Sequence, residues 1–240
     1  VVDLFGNGTA CLVWSSPLPG HALRPMRYVD LMGGQKPHLM VEMKNNLGAE
    51  TIVQYAASTK FYLADKSAGM PWSSRLPFPV HVIERVETRD RISRTRFVTR
   101  YAYHHGYFDG IEREFRGFGK VEQWDTEEYA ALSAGDDFPD AVNIDQASHV
   151  PPVMTRTWFH TGFHLDNQRI SRIFAREYYG APQKSDPNYE TALAEFTESL
   201  LPDTFFEVDL SAEEEHEASR ALKGTMLREE IYAIDGTAEA

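Results

Sequence analysis

The chain has 240 residues, 42% hydrophobic and 12% aromatic, enough to bury one or two cores. A formal net charge of -12 repels phosphate backbones and sets generic nucleic-acid binding aside. The single cysteine, Cys11, leaves no internal disulfide, and no apolar run approaches the roughly 20 residues of a membrane helix, so direct membrane insertion is not expected.

In chain order, Gly6-Asn7-Gly8 predicts a turn and Cys11 to Trp14 a short buried strand. A Pro- and Gly-rich stretch from Pro17 to Pro25 precedes a second short strand at Tyr28 to Met32. His38 to Lys44 and Glu50 to Tyr55 flank Asn45-Asn46-Leu47-Gly48, whose Asn and Gly accept left-handed backbone angles, so a β-hairpin is expected. Ser58 or Thr59 is positioned to cap a short helix ending near Gly69. Three long strands follow at His81 to Thr88, Ile92 to Tyr103 and Ile111 to Gln123, broken at Arg89-Asp90-Arg91 and Gly106 to Gly110. In the second, Phe97, Tyr101 and Tyr103 share one parity and Arg94, Arg96 and Arg100 the other, predicting a packed face and a cationic one.

Asp125 to Val150 is polar and aperiodic and reads as a long loop, after which Pro151 to His160 returns to strand. Three helices are expected next. The first carries Ile170, Ile173, Phe174 and Tyr178, and the second runs from Asp186-Pro187 through Tyr189, Leu193, Phe196 and Leu200 to Pro202. The third opens on the capping box Ser211-Ala212-Glu213-Glu214 and ends at Gly224. Met226 to Ile234 predicts a last strand leading into Asp235-Gly236-Thr237. The fold class is mainly β with C-terminal helices, an α+β chain.

Candidate chemistry is thin. Asp3-Leu4-Phe5-Gly6-Asn7-Gly8 has the outline of a calcium loop, but Phe5 and Cys11 stand where oxygen donors are needed, which favours a plain turn. His160 and His164 have helical metal spacing, yet Gly162 lies between them. His104 and His105 are adjacent, so their rings leave a strand in opposite directions. Glu112-Arg113-Glu114 matches the Glu-x-Glu of mono-ADP-ribosyltransferases, with Ser58-Thr59-Lys60 a partial match to that signature's Ser-Thr-Ser strand, but surface or cross-strand salt bridging with the arginine run is the better explanation. Trp72, Trp124 and Trp158 motivate an alternative glycan- or receptor-binding module. No catalytic, cofactor-binding or metal residue is assigned, no cofactor is expected, and the chain is read as not an enzyme.

The string from Tyr101 to Gly119, containing His104-His105-Gly106-Tyr107-Phe108-Asp109-Gly110 and Glu112-Arg113-Glu114-Phe115-Arg116-Gly117-Phe118-Gly119, is long and specific. It resembles a hallmark segment of the B component of insecticidal Tc (ABC-type) toxin complexes, the TcdB-like and SpvB-like family. Leu76 to Val80, Trp158 to Gly162 and Glu217 to Tyr232 are similar to the same family, and Asp3 to Trp14 resembles the last turn of its β-propeller. The resemblance implies the end of a β-propeller followed by a curved antiparallel meander of RHS (Tyr-Asp) type, with Tyr107-Phe108-Asp109-Gly110 similar to the repeat's turn with one residue inserted. It implies a secreted shell that encloses a cytotoxic cargo, with the cargo-bearing C component and the A-component channel as partners. The expected division is residues 1–26 propeller remnant and linker, 27–126 meander, 127–150 loop, and 151–240 strand plus helical bracing leading into further RHS strands. The lack of an initiator Met or signal peptide at Val1 reads as an excised or processed piece. The alternative under the same resemblance is a toxin domain associated with ADP-ribosyl transfer.

Overall fold

The structure is a computed structural model and describes residues 1–133, 138, 141–147, 149–163, 170–201 and 210–236. A two-stranded sheet, β1 (Cys11–Ser15) with β2 (Met26–Asp30), precedes a seven-stranded sheet. The larger sheet comprises β3 (Glu42–Lys44), β4 (Ala49–Ala57), β5 (His81–Asp90), β6 (Thr95–Asp109), β7 (Glu114–Trp124), β8 (Val153–Phe159) and β9 (Met226–Ala233). Its strands lie side by side in sequence order and every pairing is antiparallel. Segment 127–150 therefore connects neighbours, and β8 and β9 complete the sheet that β3 begins.

Local chemistry sets the turns. Asn46 and Gly48 take positive φ angles of 59° and 102°, and the Asn45 side chain accepts the Leu47 and Ala49 N–H groups, closing the expected β3–β4 hairpin. The β6–β7 turn falls later than expected. β6 runs through Gly106 to Asp109, because the Asp109 carboxylate accepts the N–H groups of Ile111 and Glu112 and so starts the reversal there, with Arg113 at φ 57°.

β6 has fifteen residues and two kinds of neighbour. Thr95 to Arg100 pair with β5. Beyond Arg100 the strand leaves β5, and its edge is covered by α1 (Ser58–Ser67) and the segment after it, with Phe108 N–H donating to Arg75 O and the Ser74 hydroxyl to Gly106 O. Ala56, Phe61 and Val82 form the core of this corner, with Trp72, Tyr103 and Phe118 packed against it. Ser58 does not cap α1. It is the first helical residue, Ala57 being the N-cap, and its hydroxyl accepts the Val80 N–H, holding the helix to the chain entering β5.

The C-terminal helices partly match expectation. Ser211 and Glu214 form a complete capping box at the head of α5 (Ala212–Ala221). α4 (Tyr189–Ser199) is present, and Pro202, its expected stop, lies outside the described residues. The helix expected around Ile173 and Tyr178 is shorter: α3 covers Ile170–Ile173, and a 3-10 turn at Ala175–Glu177 follows. Phe174 and Tyr178 nevertheless pack on the fully buried Trp158 in a second core. Within the expected loop a short helix, α2 (Tyr129–Ser133), brings Leu132 into the interior, and Phe138 is buried with its ring 6.0 Å from the Arg89 guanidinium.

Candidate functional site: a covered charged face and an open neutral one

Strand register sorts the side chains of β5 to β9 onto two faces. One face carries the rows Ala102–Glu122–Arg156–Glu230 and His104–Lys120–Trp158–Arg228, with Arg85, Glu87, Arg89 and Arg96 further along. The other carries the rows Tyr101–Gln123–Thr155–Ile231 and, across β5–β6, Thr88–Phe97. The expected roles of these faces are reversed at Arg96 and Phe97, whereas Arg94 and Arg100 are exposed and Tyr103 packs against the core as expected. Arg96 is 6% exposed, whereas Phe97 is 61% exposed. The cause at Arg96 is Glu87 on the neighbouring strand, which pairs with its guanidinium, together with the Leu132 carbonyl and the Asn143 side chain, which bond to Arg96 from the other side of the connection.

Glu87 accepts from Arg89 Nε at 2.5 Å, Arg96 Nε at 2.8 Å and Arg85 Nη1 at 2.7 Å. Arg85 also grips both Glu127 oxygens, at 2.9 and 3.0 Å, and Arg96 donates to Leu132 O at 2.9 Å, which ties the covering segment to the sheet. Burial by itself would push the Glu87 carboxyl up, but the hydrogen bonds from Arg89, Arg96 and Arg85 prevail and hold it at about 2.

A second cluster fastens α1 and the 3-10 turn. His104 Nδ1 lies 2.6 Å from Asp65, which also accepts from Trp72 Nε1 at 2.6 Å, while its Nε2 faces Glu122 at 3.5 Å. His105 takes a different set: Nδ1 accepts the Ser73 N–H, which fixes the proton on Nε2, and Nε2 donates to Glu177 at 2.7 Å. Lys120 Nζ donates to the other Glu177 oxygen at 2.7 Å. Burial raises and hydrogen bonding lowers both carboxyls; for Glu122 the His104 bond, and for Glu177 the His105 bond, lead the lowering to about 2. For His104 burial opposes the charge, but Asp65 and Glu122 outweigh it and raise its pKa above 6.5.

These shifts fix the pH window. The depressed carboxylates contribute stability above their ordinary 4.5 that is lost as pH falls toward 2, and protonated His104 contributes stability below 6.5 that is lost as pH rises through its raised value. The urea midpoint is therefore expected to hold between these limits, to collapse between pH 4.5 and 2, and to decline more gently on the alkaline side. A midpoint unchanged at the acid end would contradict the buried pairs.

The third cluster sits at the β6–β7 turn under α5. Arg116, its side chain 0% exposed, lies 3.1 Å from Asp109 and donates to Gly162 O at 2.7 Å. His216 Nε2 approaches the same Asp109 at 2.9 Å. Asp109 is held at about 2: burial opposes, and the Glu112 N–H and His216 bonds dominate. Glu112 and Glu114 do not pair with the arginine run. Glu112 lies in the turn and Glu114 opens β7; Arg220 near the end of α5 approaches both, Lys223 just beyond the helix lies with Nζ 2.9 Å from Glu114, and Arg116 lies 3.5 Å from Glu114. Ser58-Thr59-Lys60 begins a helix, not the strand the transferase signature requires. Glu112, His216 and Glu217 bring ligand atoms within 4.8 Å of one another, but Arg220 lies 3.8 and 3.5 Å from the two carboxylates and would compete with a cation for them.

The remaining candidates resolve into structural roles. Both Asp3 oxygens accept backbone N–H groups, from Asn7 at 3.1 Å and Gly8 at 2.8 Å, so the loop is closed by its own bonds. His160 is buried with Nδ1 accepting the Gly162 N–H, and His164 lies outside the described residues. Of the tryptophans, Trp158 is fully buried, Trp72 is bonded to Asp65, and Trp124 is half-buried. Arg220 and Lys223, more than 100 residues from Glu112 and Glu114, carried no local sequence signal.

A sequence-ordered antiparallel sheet with its charges paired inward defines a structural β-sheet module. The family model of the insecticide toxin TcdB middle/N-terminal region matches residues 1–162, and the chain belongs to that family. It is similar to the Photorhabdus luminescens Tc holotoxin pore structure, at 29% identity over 98% of this chain, with a TM-score of 0.69. It is also similar to the crystal structure of TcdB2-TccC3, at 28% identity over 98% with a TM-score of 0.64, and to TcdB2-TccC3 without its hypervariable C-terminal region, at 29% and 0.65. The chain spans 10% of the length of each of these matched chains. No curated protein sequence matches it. Among the described residues no helix is long and apolar enough to cross a membrane.

Proposed function

We propose that this chain is a wall segment of a Tc-toxin B component, part of a hollow β-shell that encloses a cytotoxic cargo together with the C component and links it to the A-component channel. The observation that carries the reading is a sheet in strict sequence order whose two outer strands, β3 and β9, pair on one side only among the described residues. Such a sheet is built to be extended by preceding and following strands, as a spiral wall requires. The likeness to TcdB2 in its assembly with TccC3 supports it. On this reading residues 1–26 end a propeller, 27–126 and 151–240 form wall and bracing, and the paired charges are fasteners, with no catalytic role. The complex acts outside the producing cell.

The test is assembly. A B component carrying this sequence should co-purify with its C component, and the absence of a complex would defeat the reading. The isolated 240-residue chain is expected to self-associate through the open β9 edge, where Ile231 is 68% exposed. Ile231→Lys should shift its sedimentation toward monomer; a wild-type chain that is already monomeric would count against an open wall edge.

A further inference from the structure

The ribbon of β1 and β2 shares no strand pairing with the larger sheet, and among the described residues neither buried core cluster includes a residue of it. It meets the corner of the larger sheet at the loop Gly6-Asn7-Gly8. Three consecutive carbonyls of this loop face side chains from outside the ribbon. Gly6 O accepts from the Thr59 hydroxyl of α1, Asn7 O faces the His81 imidazole at the start of β5, and Gly8 O accepts from Lys36 Nζ at 3.4 Å. The loop itself is stiff, because both Asp3 oxygens and the Asn7 side chain are bonded within it. Two clefts border it: one of about 650 Å³ reaches Asn7, Lys36, Glu42 and His81, and one of about 440 Å³ reaches Gly6, Thr59, Tyr62 and Trp72. A stiff loop gripped along one row of atoms and bordered by open clefts is a joint, and it can swing without unpacking a core.

His81 is the sensitive part of this joint. Its ring lies so close to Gly8 that a Cβ there would stand 2.3 Å from Cε1, which leaves no room for water on that side. The charged groups around it are Lys36, a like charge to a protonated imidazole, Asp3, and Glu42 across the larger cleft. Asp3 is already committed to the Asn7 and Gly8 N–H groups. We infer that the loop is an acid-released joint: when His81 takes a proton, the ribbon swings away from α1 and β5 while the larger sheet keeps its fold. Burial first, and Lys36 second, hold His81 below its ordinary 6.5. A histidine so depressed binds its proton more readily once the joint is open. Closure is therefore at full strength above pH 6.5 and weakens as pH falls below it. The release is local, so the urea midpoint of the sheet stays governed by the buried carboxylates. The inference stands whether or not the chain is a wall segment.

The test uses a complete B component carrying this sequence. A donor and an acceptor dye, attached through azido-phenylalanine at Leu23 on the ribbon side and at Ile92 on the β5–β6 turn, 97% and 79% exposed, report the distance across the joint by single-molecule energy transfer. One distance is expected at pH about 8, and a second component, several-fold more populated, at pH about 5, the range in which an ordinary histidine changes charge. His81→Gln should keep the single distance at both, and Lys36→Gln should shrink the second component. A wild-type distribution that does not change with pH, or a His81→Gln protein that still responds, overturns the proposal. If His81→Gln is already open at pH about 8, Lys36→Gln decides: an undiminished response to acid overturns the proposal and a reduced one upholds it.

Discussion

Glu87→Gln is expected to lower the unfolding free energy by about 3–5 kcal/mol, the cost of removing one partner from a buried ion-pair network. Glu87 is the common acceptor for Arg85, Arg89 and Arg96, and an amide retains its shape but not its charge. The buried guanidinium of Arg96 would then face an amide dipole and the Leu132 carbonyl. Urea unfolding monitored by far-UV circular dichroism measures the loss. The pair Glu87→Met with Arg96→Met should recover part of it, because two apolar groups of similar volume leave fewer buried charges to satisfy. A loss within the few tenths of a kcal/mol usual for surface substitutions would show that the covering segment is not closed over this face.

Trp158→Ala should cost a similar amount, about 3–5 kcal/mol, through lost packing and the cavity left behind. The indole meets the Tyr178 ring edge-on at 5.0 Å and shares its core with Phe174, so it is the main apolar contact between the sheet and the α3-to-Tyr178 segment. The expected signature is local as well as global: limited proteolysis should cut segment 170–201 in the variant under conditions where the wild type resists. Protection equal to wild type would mean that the ion pairs through Glu177 hold this segment without the tryptophan.

These two sites also show what could be read from the sequence and what could not. The β3–β4 hairpin and the α5 capping box were legible because their determinants, Asn46 with Gly48 and Ser211 with Glu214, lie within three residues of each other. The period-two pattern of β6 was equally plain, but the burial of Arg96 and the exposure of Phe97 were not. Arg96 is buried by Glu87 across one hairpin and by Leu132 at a separation of 36 residues, and alternation carries no information about either. The same distance hid the true partners of Glu112 and Glu114. Phe174 and Tyr178 were correctly grouped as apolar, although the helix expected to carry them gives way to a 3-10 turn at Ala175. Local signals located the elements; the charge partners came from chain segments that only folding brings together.

Strand order has a kinetic side. Because each strand from β3 to β7 needs only its predecessor as a template, this half can zip together while later residues are still being synthesised, with short turns to close except at the α1-bearing connection between β4 and β5. β9 is different: it must find β8 across the 66 residues that separate the two strands, and until it does the edge of β8 away from β7 stays open. Docking of β9 is thus the slow, aggregation-exposed step for this stretch of polypeptide, and a chaperone that shields β8 would act in that interval.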